Sequence, residues 1–336
     1  MLALKFNDFL LYISWKILVC GISKADATIA TPNCGASTAA KHIQLVHPQT
    51  PPRVCSYHIN AYNNNVCQLR IDFSMILAQP SLPDQNGLWY VQCTQDYFEV
   101  NDLKFCGSET AQHIYVPFNG TARIDLRIIL LARNSSNKSL LPTPEWNMLI
   151  TQLECQSQVR QKQIIVDEAK ANNLLWTRSS DISTEDDLLV APPSCLQYFP
   201  HTSGTILSFN YAGGAGVYTG NLNYAICFRR QHETRMLNIQ VHYFNLGAEY
   251  SRQKFYELDN YCRPQLHSEG LSEDYLLIPQ AIIKNSNINA TYFCGNSIQG
   301  DTVISTNPGP LLLIFHSDSN YKPEREVGFA LSYNIV

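Results

Sequence analysis

The chain has 336 residues, a formal net charge of −4 and only 15% charged residues, against roughly 25% in an average globular protein. That balance excludes a disordered acidic tail and a general nucleic-acid binder, which needs a basic surface to neutralise phosphates. Eleven cysteines and 18 tyrosines point instead to a disulfide-linked chain whose polar surface is rich in tyrosine and asparagine.

At the N-terminus, Lys5 precedes an apolar run from Phe9 to Ile22 that Lys16 interrupts, and Ala25-Asp26-Ala27 supplies a small-x-small cleavage pattern before Thr28. We read residues 1–27 as a secretory signal peptide. A retained membrane anchor is the rival reading, but spanning hydrocarbon takes about 20 apolar residues and this run is shorter and charged near its middle. Cleavage removes Cys20. Ten cysteines then remain in two even sets: Cys34, Cys55, Cys67, Cys93, Cys106 and Cys155, followed by Cys195, Cys227, Cys262 and Cys294. Even sets fit bridges closed within each half in an oxidising compartment, so the expected mature protein is secreted and extracellular, with no stable membrane insertion.

Along the chain, apolar and polar residues alternate with a period of two. Leu69, Ile71 and Phe73 interleave with Arg70, Asp72 and Ser74; Ile124, Leu126 and Ile128 interleave with Asp125 and Arg127. In the second half Ile239, Val241 and Tyr243 alternate with Gln240 and His242. One apolar and one wet face predict antiparallel strands, cut apart by Pro and Gly clusters such as Asn307-Pro308-Gly309-Pro310. Phe105-Cys106-Gly107 recurs as Phe293-Cys294-Gly295, each followed by a closing strand, Trp146 to Ile150 and Val327 to Tyr333. This internal repeat divides the mature chain into residues 28–155 and 191–336. Residues 156–190 read as a linker, with the acidic run Glu185-Asp186-Asp187, the break Ala191-Pro192-Pro193 just beyond, and a short helix near 163–175.

Catalytic signals are weak. His232-Glu233 opens like a zinc protease motif, but Met236 stands where the second histidine on the same helical face belongs. No Gly-x-Ser-x-Gly surrounds a serine, and Ala212-Gly213-Gly214-Ala215-Gly216 lacks the Lys and Ser/Thr of a phosphate loop. We therefore expect no enzyme. Asn119, Asn134, Asn137 and Asn289 begin Asn-x-Ser/Thr triplets, glycan acceptors when they stand on exposed loops in the secretory path. Arg229, Arg230 and Arg235 with Tyr243 form either a basic, aromatic contact patch or an ordinary wet strand face.

The second half resembles a CUB domain, a β-sandwich module of secreted proteins. The resemblance runs from Cys195 to Val336 and rests on Cys195-Leu196-Gln197-Tyr198, Gly204 to Tyr211, Tyr224-Ala225-Ile226-Cys227, Leu313 to Asp318 and Gly328 to Tyr333. The first half is similar more loosely, through Cys55 to Ile59, Cys67 to Phe73, Cys93 to Val100 and Phe105-Cys106-Gly107. The resemblance implies an all-β fold of two tandem CUB-like antiparallel β-sandwiches, jelly-roll type, stabilised by disulfides, in an arrangement similar to insect tandem CUB proteins. It implies the pairs Cys195–Cys227, Cys262–Cys294 and Cys93–Cys106. For the other four cysteines, among the 15 connectivities that six allow, we expect Cys55–Cys67 and Cys34–Cys155.

Many family members hold calcium between a Glu before the third cysteine, an Asp just after it and an Asp in a late Ser-Asp motif, since a hard cation needs converging oxygens. The first half offers Asp96 but has Gln79-Pro80 where an acid belongs. The second offers Ser317-Asp318 but has Leu246-Gly247 near the Glu position and Arg263-Pro264 after Cys262. Both sets are incomplete, so no metal or other cofactor is expected. The implied function is non-catalytic binding of an extracellular protein or glycan, with no nucleic-acid partner. The alternatives are an accessory or regulatory module of a secreted protease, or a self-associating extracellular structural component.

Overall fold

A computed structural model describes residues 29–82, 90–155, 185–231, 233–247, 258–262, 274–319 and 325–336. The expected signal peptide with Cys20, residues 156–184 with the expected helix, His232 and Arg263-Pro264 lie outside the described residues. The first half carries β1 (Ser37–Thr38), β2 (His42–Val46), β3 (Val54–Asn60), β4 (Val66–Asp72), β5 (Met75–Ile76), β6 (Tyr97–Val100), β7 (Leu103–Phe105), β8 (His113–Pro117), β9 (Arg123–Ile129) and β10 (Glu145–Glu154). They form two sheets, β1-β3-β9-β6-β7 and β2-β10-β4-β8, with β5 beside β10. The alternation does what a half-buried strand requires: on β9, Ile124, Leu126 and Ile128 are buried while Arg123, Asp125 and Arg127 face water.

The second half carries β11 (Cys195–Phe199), β12 (Ser203–Leu207), β13 (Asn223–Phe228), β14 (Leu237–Leu246), β15 (Tyr275–Ile283), β16 (Ile288–Phe293), β17 (Thr302–Ser305), β18 (Leu312–His316) and β19 (Glu326–Ile335). Their order is β11-β13-β18-β15-β17-β14-β19-β12, with β16 beside β15. One strand joins the two layers. Residues 275–277 of β15 pair with β18, residues 281–283 pair with β17, and Gln280 in the break has φ +47°. Along β14 the expected alternation fails at Tyr243, because a bulge against β19 between Val241 and Tyr243 shifts the phase. Tyr243 is left half-buried and Phe244 and Leu246 turn inward. A single extra residue reverses every side chain beyond it.

The two halves repeat one pairing scheme. The parallel pair β1/β3 matches β11/β13, and the antiparallel chain β2-β10-β4-β8 matches β12-β19-β14-β17. Likewise β3-β9-β6-β7 matches β13-β18-β15-β16. Even the Cys-Gly turns match: Gly107 exchanges backbone hydrogen bonds with Leu77 and Ala78, and Gly295 with Leu246. These are two tandem antiparallel sandwiches. Their buried side chains form one apolar core that runs from Ile43 to Ile335 through both halves.

The disulfides follow the repeat. Cys195–Cys227 ties β11 to β13, and Cys262–Cys294 anchors the short helix α2 (Leu258–Cys262) beside β16. Cys93–Cys106 is the first-half counterpart of the latter. The expected Cys55–Cys67 and Cys34–Cys155 are corrected: the bonds are Cys34–Cys55 and Cys67–Cys155. Cys34–Cys55 binds the approach to β1 onto β3, as Cys195–Cys227 does for β11 and β13. Cys67–Cys155 staples the start of β4 to the end of its antiparallel neighbour β10.

Cys67–Cys155 closes a separation of 88 residues, for which the loop-entropy model gives about 4.6 kcal/mol before native strain. Removing both cysteines is expected to destabilise the first half by an amount of that order in a denaturant titration. Non-reducing peptide mapping is expected to recover the five observed pairs, and a peptide linking Cys55 to Cys67 contradicts the fold.

Candidate functional site

The feature that organises this molecule is the junction between its halves. In the first half β8 pairs with β4, and the register sets His113 and Tyr115 opposite Asp72 and Arg70, on the face away from the core side chains Ile114 and Val116. The second half covers that face with β11. His113 at the start of β8 places Nε2 3.0 Å from the Tyr198 carbonyl oxygen and 3.3 Å from the Tyr198 nitrogen. Its ring also meets Phe199 edge-on at 4.9 Å, and Tyr115 meets Tyr198 at 6.0 Å.

Beside these rings runs a seam of buried amides. Gln112 Nε2 donates to the carbonyls of Leu207 (3.1 Å) and Ser208 (2.9 Å), and its Oε1 accepts from Gln197 Nε2 (3.0 Å). Asn210 is satisfied on every side. Its backbone N–H donates to Glu109 Oε2 (3.1 Å), its Nδ2 to Gln79 Oε1 (2.8 Å) and the Val217 carbonyl (2.7 Å), and its Oδ1 accepts from Ser108 N–H (2.9 Å). Gly107 lets the chains come this close: at φ +76°, a Cβ there would lie 2.0 Å from Asn210 Oδ1. Phe105 and Phe209 close the apolar side at 4.9 Å.

The end of the expected linker belongs to this junction. Residues 185–189 form a short helix, α1 (Glu185–Leu189), whose Asp186 is 8% exposed and receives Lys41 Nζ at 2.7 Å. Gln68 then grips the Ala191 backbone at both ends, donating to its carbonyl (2.8 Å) and accepting from its N–H (3.0 Å). A segment held in this way transmits orientation from one half to the other.

Two titratable groups are sealed in the seam, and burial drives both toward their neutral forms. Burial pushes the Glu109 carboxyl well above the usual carboxylate range, offset in part by the Asn210 N–H it accepts. Burial, then the Arg70 guanidinium, lowers His113 to about 4, against Asp72 and the Tyr198 carbonyl, which raise it. Arg70 itself is held by Asp72 (2.7 Å) and by the Tyr115 hydroxyl (2.9 Å), whose pKa burial raises to about 12.

The residues singled out by sequence fall elsewhere. Asp96 is fully buried, and its carboxylate is taken by Arg133 Nη1 (2.9 Å) and Nη2 (2.5 Å) and by the Leu131 N–H (2.9 Å). Ser317 Oγ donates to the Thr219 carbonyl (2.9 Å) and accepts from Leu222 N–H (2.9 Å). The Asp318 N–H donates to Asp274 Oδ1 (2.6 Å), whose Oδ2 accepts the buried Tyr218 hydroxyl (2.5 Å). Among the described residues, no three His, Cys, Asp or Glu side chains gather as a metal site. Arg230 spends its guanidinium on the carbonyls of Thr234 and Asn307, and Tyr243 packs against Tyr211 at 5.5 Å. Asn119, Asn134 and Asn289 are exposed, whereas Asn137 is half-buried and its amide bonds to the Ala132 carbonyl and the Asn134 N–H. Ala212–Gly214 is a single turn of 3-10 helix.

Residues 192–336 match the family model for the animal CUB domain. The second half of this chain is a CUB domain. The first half repeats the strand pairing of that CUB domain and is CUB-like. CUB domains are non-catalytic interaction modules typical of extracellular proteins. In overall structure the chain is similar to the CUB1-EGF-CUB2 domains of rat MASP-1, with 13% identity, 91% of this chain and 100% of that chain covered, and a TM-score of 0.26. It is also similar to the CUB1-EGF-CUB2 domain of human MASP-1/3 (15% identity, 88% and 100% covered, TM-score 0.26). A third is the full extracellular region of zebrafish Gpr126/Adgrg6 (11% identity, 90% and 36% covered, TM-score 0.25). No curated protein matches the sequence.

The signs of the two buried groups separate cleanly. His113 has its folded pKa below the ordinary 6.5, so its contribution is complete above pH 6.5 and is lost as pH falls toward 4, on the order of 3 kcal/mol. Glu109 has its folded pKa raised, so its contribution is complete below about pH 4.5 and is lost as pH rises. Glu109→Gln keeps an acceptor for Asn210 and removes the ionisation. Calorimetry is expected to find this variant more stable than wild type by about 1–3 kcal/mol at pH 7.5 and little different at pH 4.5. A variant destabilised at both pH values contradicts a neutral buried carboxyl.

Proposed function

We propose that this protein is a secreted, non-catalytic binding protein in which a CUB domain and its CUB-like neighbour act as one recognition unit on an extracellular protein or glycan. The observation that carries this reading is the seam. Interfaces between independently moving domains are small and leave their polar groups to water, whereas here Asn210 and Gln112 spend their amides across the junction in buried surroundings. Buried amides left unpaired are costly, so the halves stay docked and their loops keep a fixed relative placement. Fixed placement favours a ligand that touches both halves, since little ordering entropy is lost on binding. The reading invokes no cofactor, and it puts glycans on the exposed Asn119, Asn134 and Asn289.

Affinity capture from extracellular fluid with the full secreted chain tests this, run beside Gly107→Val, which drives a side chain into Asn210. A partner retained by wild type and weakened at least tenfold by the variant is expected. A partner held equally by both, or turnover of a substrate by the purified chain, overturns it.

A further inference from the structure

A cavity of about 450 Å³ opens between the halves, beside the seam, within the roughly 300–1,000 Å³ of small-ligand sites. One wall is the β6–β7 turn and strand, Asp102 to Phe105, with Tyr90 and Gln92; the other is Ser194, Leu196, Phe209 and the loop from Thr219 to Tyr224. Gly220 fastens the two walls together. Its N–H donates to the Val91 carbonyl (3.1 Å), and a Cβ on it would lie 2.6 Å from Tyr90 Cβ.

Lys104 lies over the Tyr97 ring at 4.7 Å, but other polar side chains on these walls are unspent. The side chains of Asp102, Ser194, Asn221 and Asn223 are exposed and make no hydrogen bond with any described residue. Among the described residues Gln92 Nε2 is buried without a hydrogen-bond partner, and the buried Tyr224 hydroxyl has only the Phe209 backbone N–H near it. In the seam a few residues away the Asn210 and Gln112 amides are paired, and Gln197 Oε1 is the amide atom left over. Buried polar groups left unpaired in a concave site are what a ligand satisfies. Burial, with the Glu109 carboxyl beside it, keeps the Tyr224 hydroxyl protonated, so it is a donor, as is the Gln92 amide nitrogen.

The lining also selects charge. Asp102 and Lys104, on the same wall, carry opposite charges, so the lining has no net charge and draws neither an anion nor a cation as such. Carbon faces line the remainder: Phe105, Phe209 and Leu196. A neutral molecule with many hydroxyls around an apolar ring face matches amides, a carboxylate and aromatic rings at once.

Building on the binding-protein reading above, we propose that the interdomain cleft is a carbohydrate site that takes a neutral pyranose unit, either the end of a glycan chain or a free saccharide. Hydroxyls of the sugar bond to Asp102, Asn221 and Asn223 at the mouth, and an acceptor oxygen meets Gln92 and Tyr224 deeper in. A peptide is less suited, because the free edge of β7 is only three residues long and offers little backbone to pair.

The test is a glycan array probed with the full secreted chain, followed by titration of each neutral hit as a soluble oligosaccharide and as its methyl monosaccharide, which separates a chain end from a free sugar. Asn223→Ala alters an exposed side chain, Asp102→Gly removes one while suiting the φ of +66° there, and Tyr224→Phe removes only a hydroxyl, so all three should keep the wild-type melting temperature. Each is expected to weaken the neutral sugar at least tenfold. Binding confined to sulfated or sialylated glycans, binding indifferent to all three variants, selection of peptides over sugars, or no sugar bound at all overturns the proposal. If the protein partner is still captured while no sugar binds, the cleft assignment alone fails. If neither is bound, the binding-protein reading fails with it.

Discussion

Everything distinctive in this structure depends on how the outward face of β8 is covered. In the second sandwich the corresponding strand, β17, is stitched to both β14 and β15, so its edge is used within its own domain. In the first sandwich, among the described residues, β8 pairs with β4 alone. Its outward face is closed by β11 through His113 and Tyr115, and beside it the Gln112 amide bonds to the Leu207 and Ser208 carbonyls. An exposed apolar face invites association with other chains; covering it with the neighbouring domain removes that hazard and fastens the two sandwiches together.

The consequences run outward from that contact. Close approach requires Gly107, whose missing Cβ leaves room for Asn210. Burial of Asn210 requires partners for its amide, which Gln79, Ser108 and Val217 supply. Exclusion of water drives Glu109 and His113 to their neutral forms. The linker's last residues are drawn in through Asp186 and Ala191. The cleft lies at the margin of the same contact, where the walls diverge past Gly220 and the polar groups no longer meet one another. Its shape therefore depends on the seam: loosening the junction changes the cavity as well as the angle between domains.

Much of the fold was legible in the sequence, because period-two alternation is a direct record of a strand with one wet face. β4, β9 and the first closing strand, β10, follow that record. It failed at β14, where a bulge spends one residue without changing composition, so no pattern of hydrophobicity announces it. Three bridges follow the family resemblance. The two that differ were open to inference from the repeat, since Cys34–Cys55 stands in the first half where Cys195–Cys227 stands in the second. What obscured them was the extra Cys67–Cys155 pair, which has no counterpart and makes the cysteine counts of the halves unequal. The junction was nearly invisible. Glu109, Gln112, Asn210 and Gln197 look like loop and surface residues by type, and their burial comes from contacts about a hundred residues away in sequence. One signal was present: His113 to Pro117 lacks any Asp, Glu, Lys or Arg, which marks a strand covered on both faces. The residues weighed as calcium ligands serve internal ties, with Asp96 spent on Arg133 and Ser317 on neighbouring backbone.

Native-state hydrogen exchange at two backbone amides tests the central claim, that the sandwiches are docked into one body, most directly. Ser108 N–H bonds to Asn210 Oδ1 and Asn210 N–H bonds to Glu109 Oε2, so both are protected only while the halves are together. The account predicts protection at Ser108 and Asn210 comparable to that of the core strands β9 and β18. Exchange at these two amides at the rate of an open loop, with β9 and β18 still protected, would contradict it.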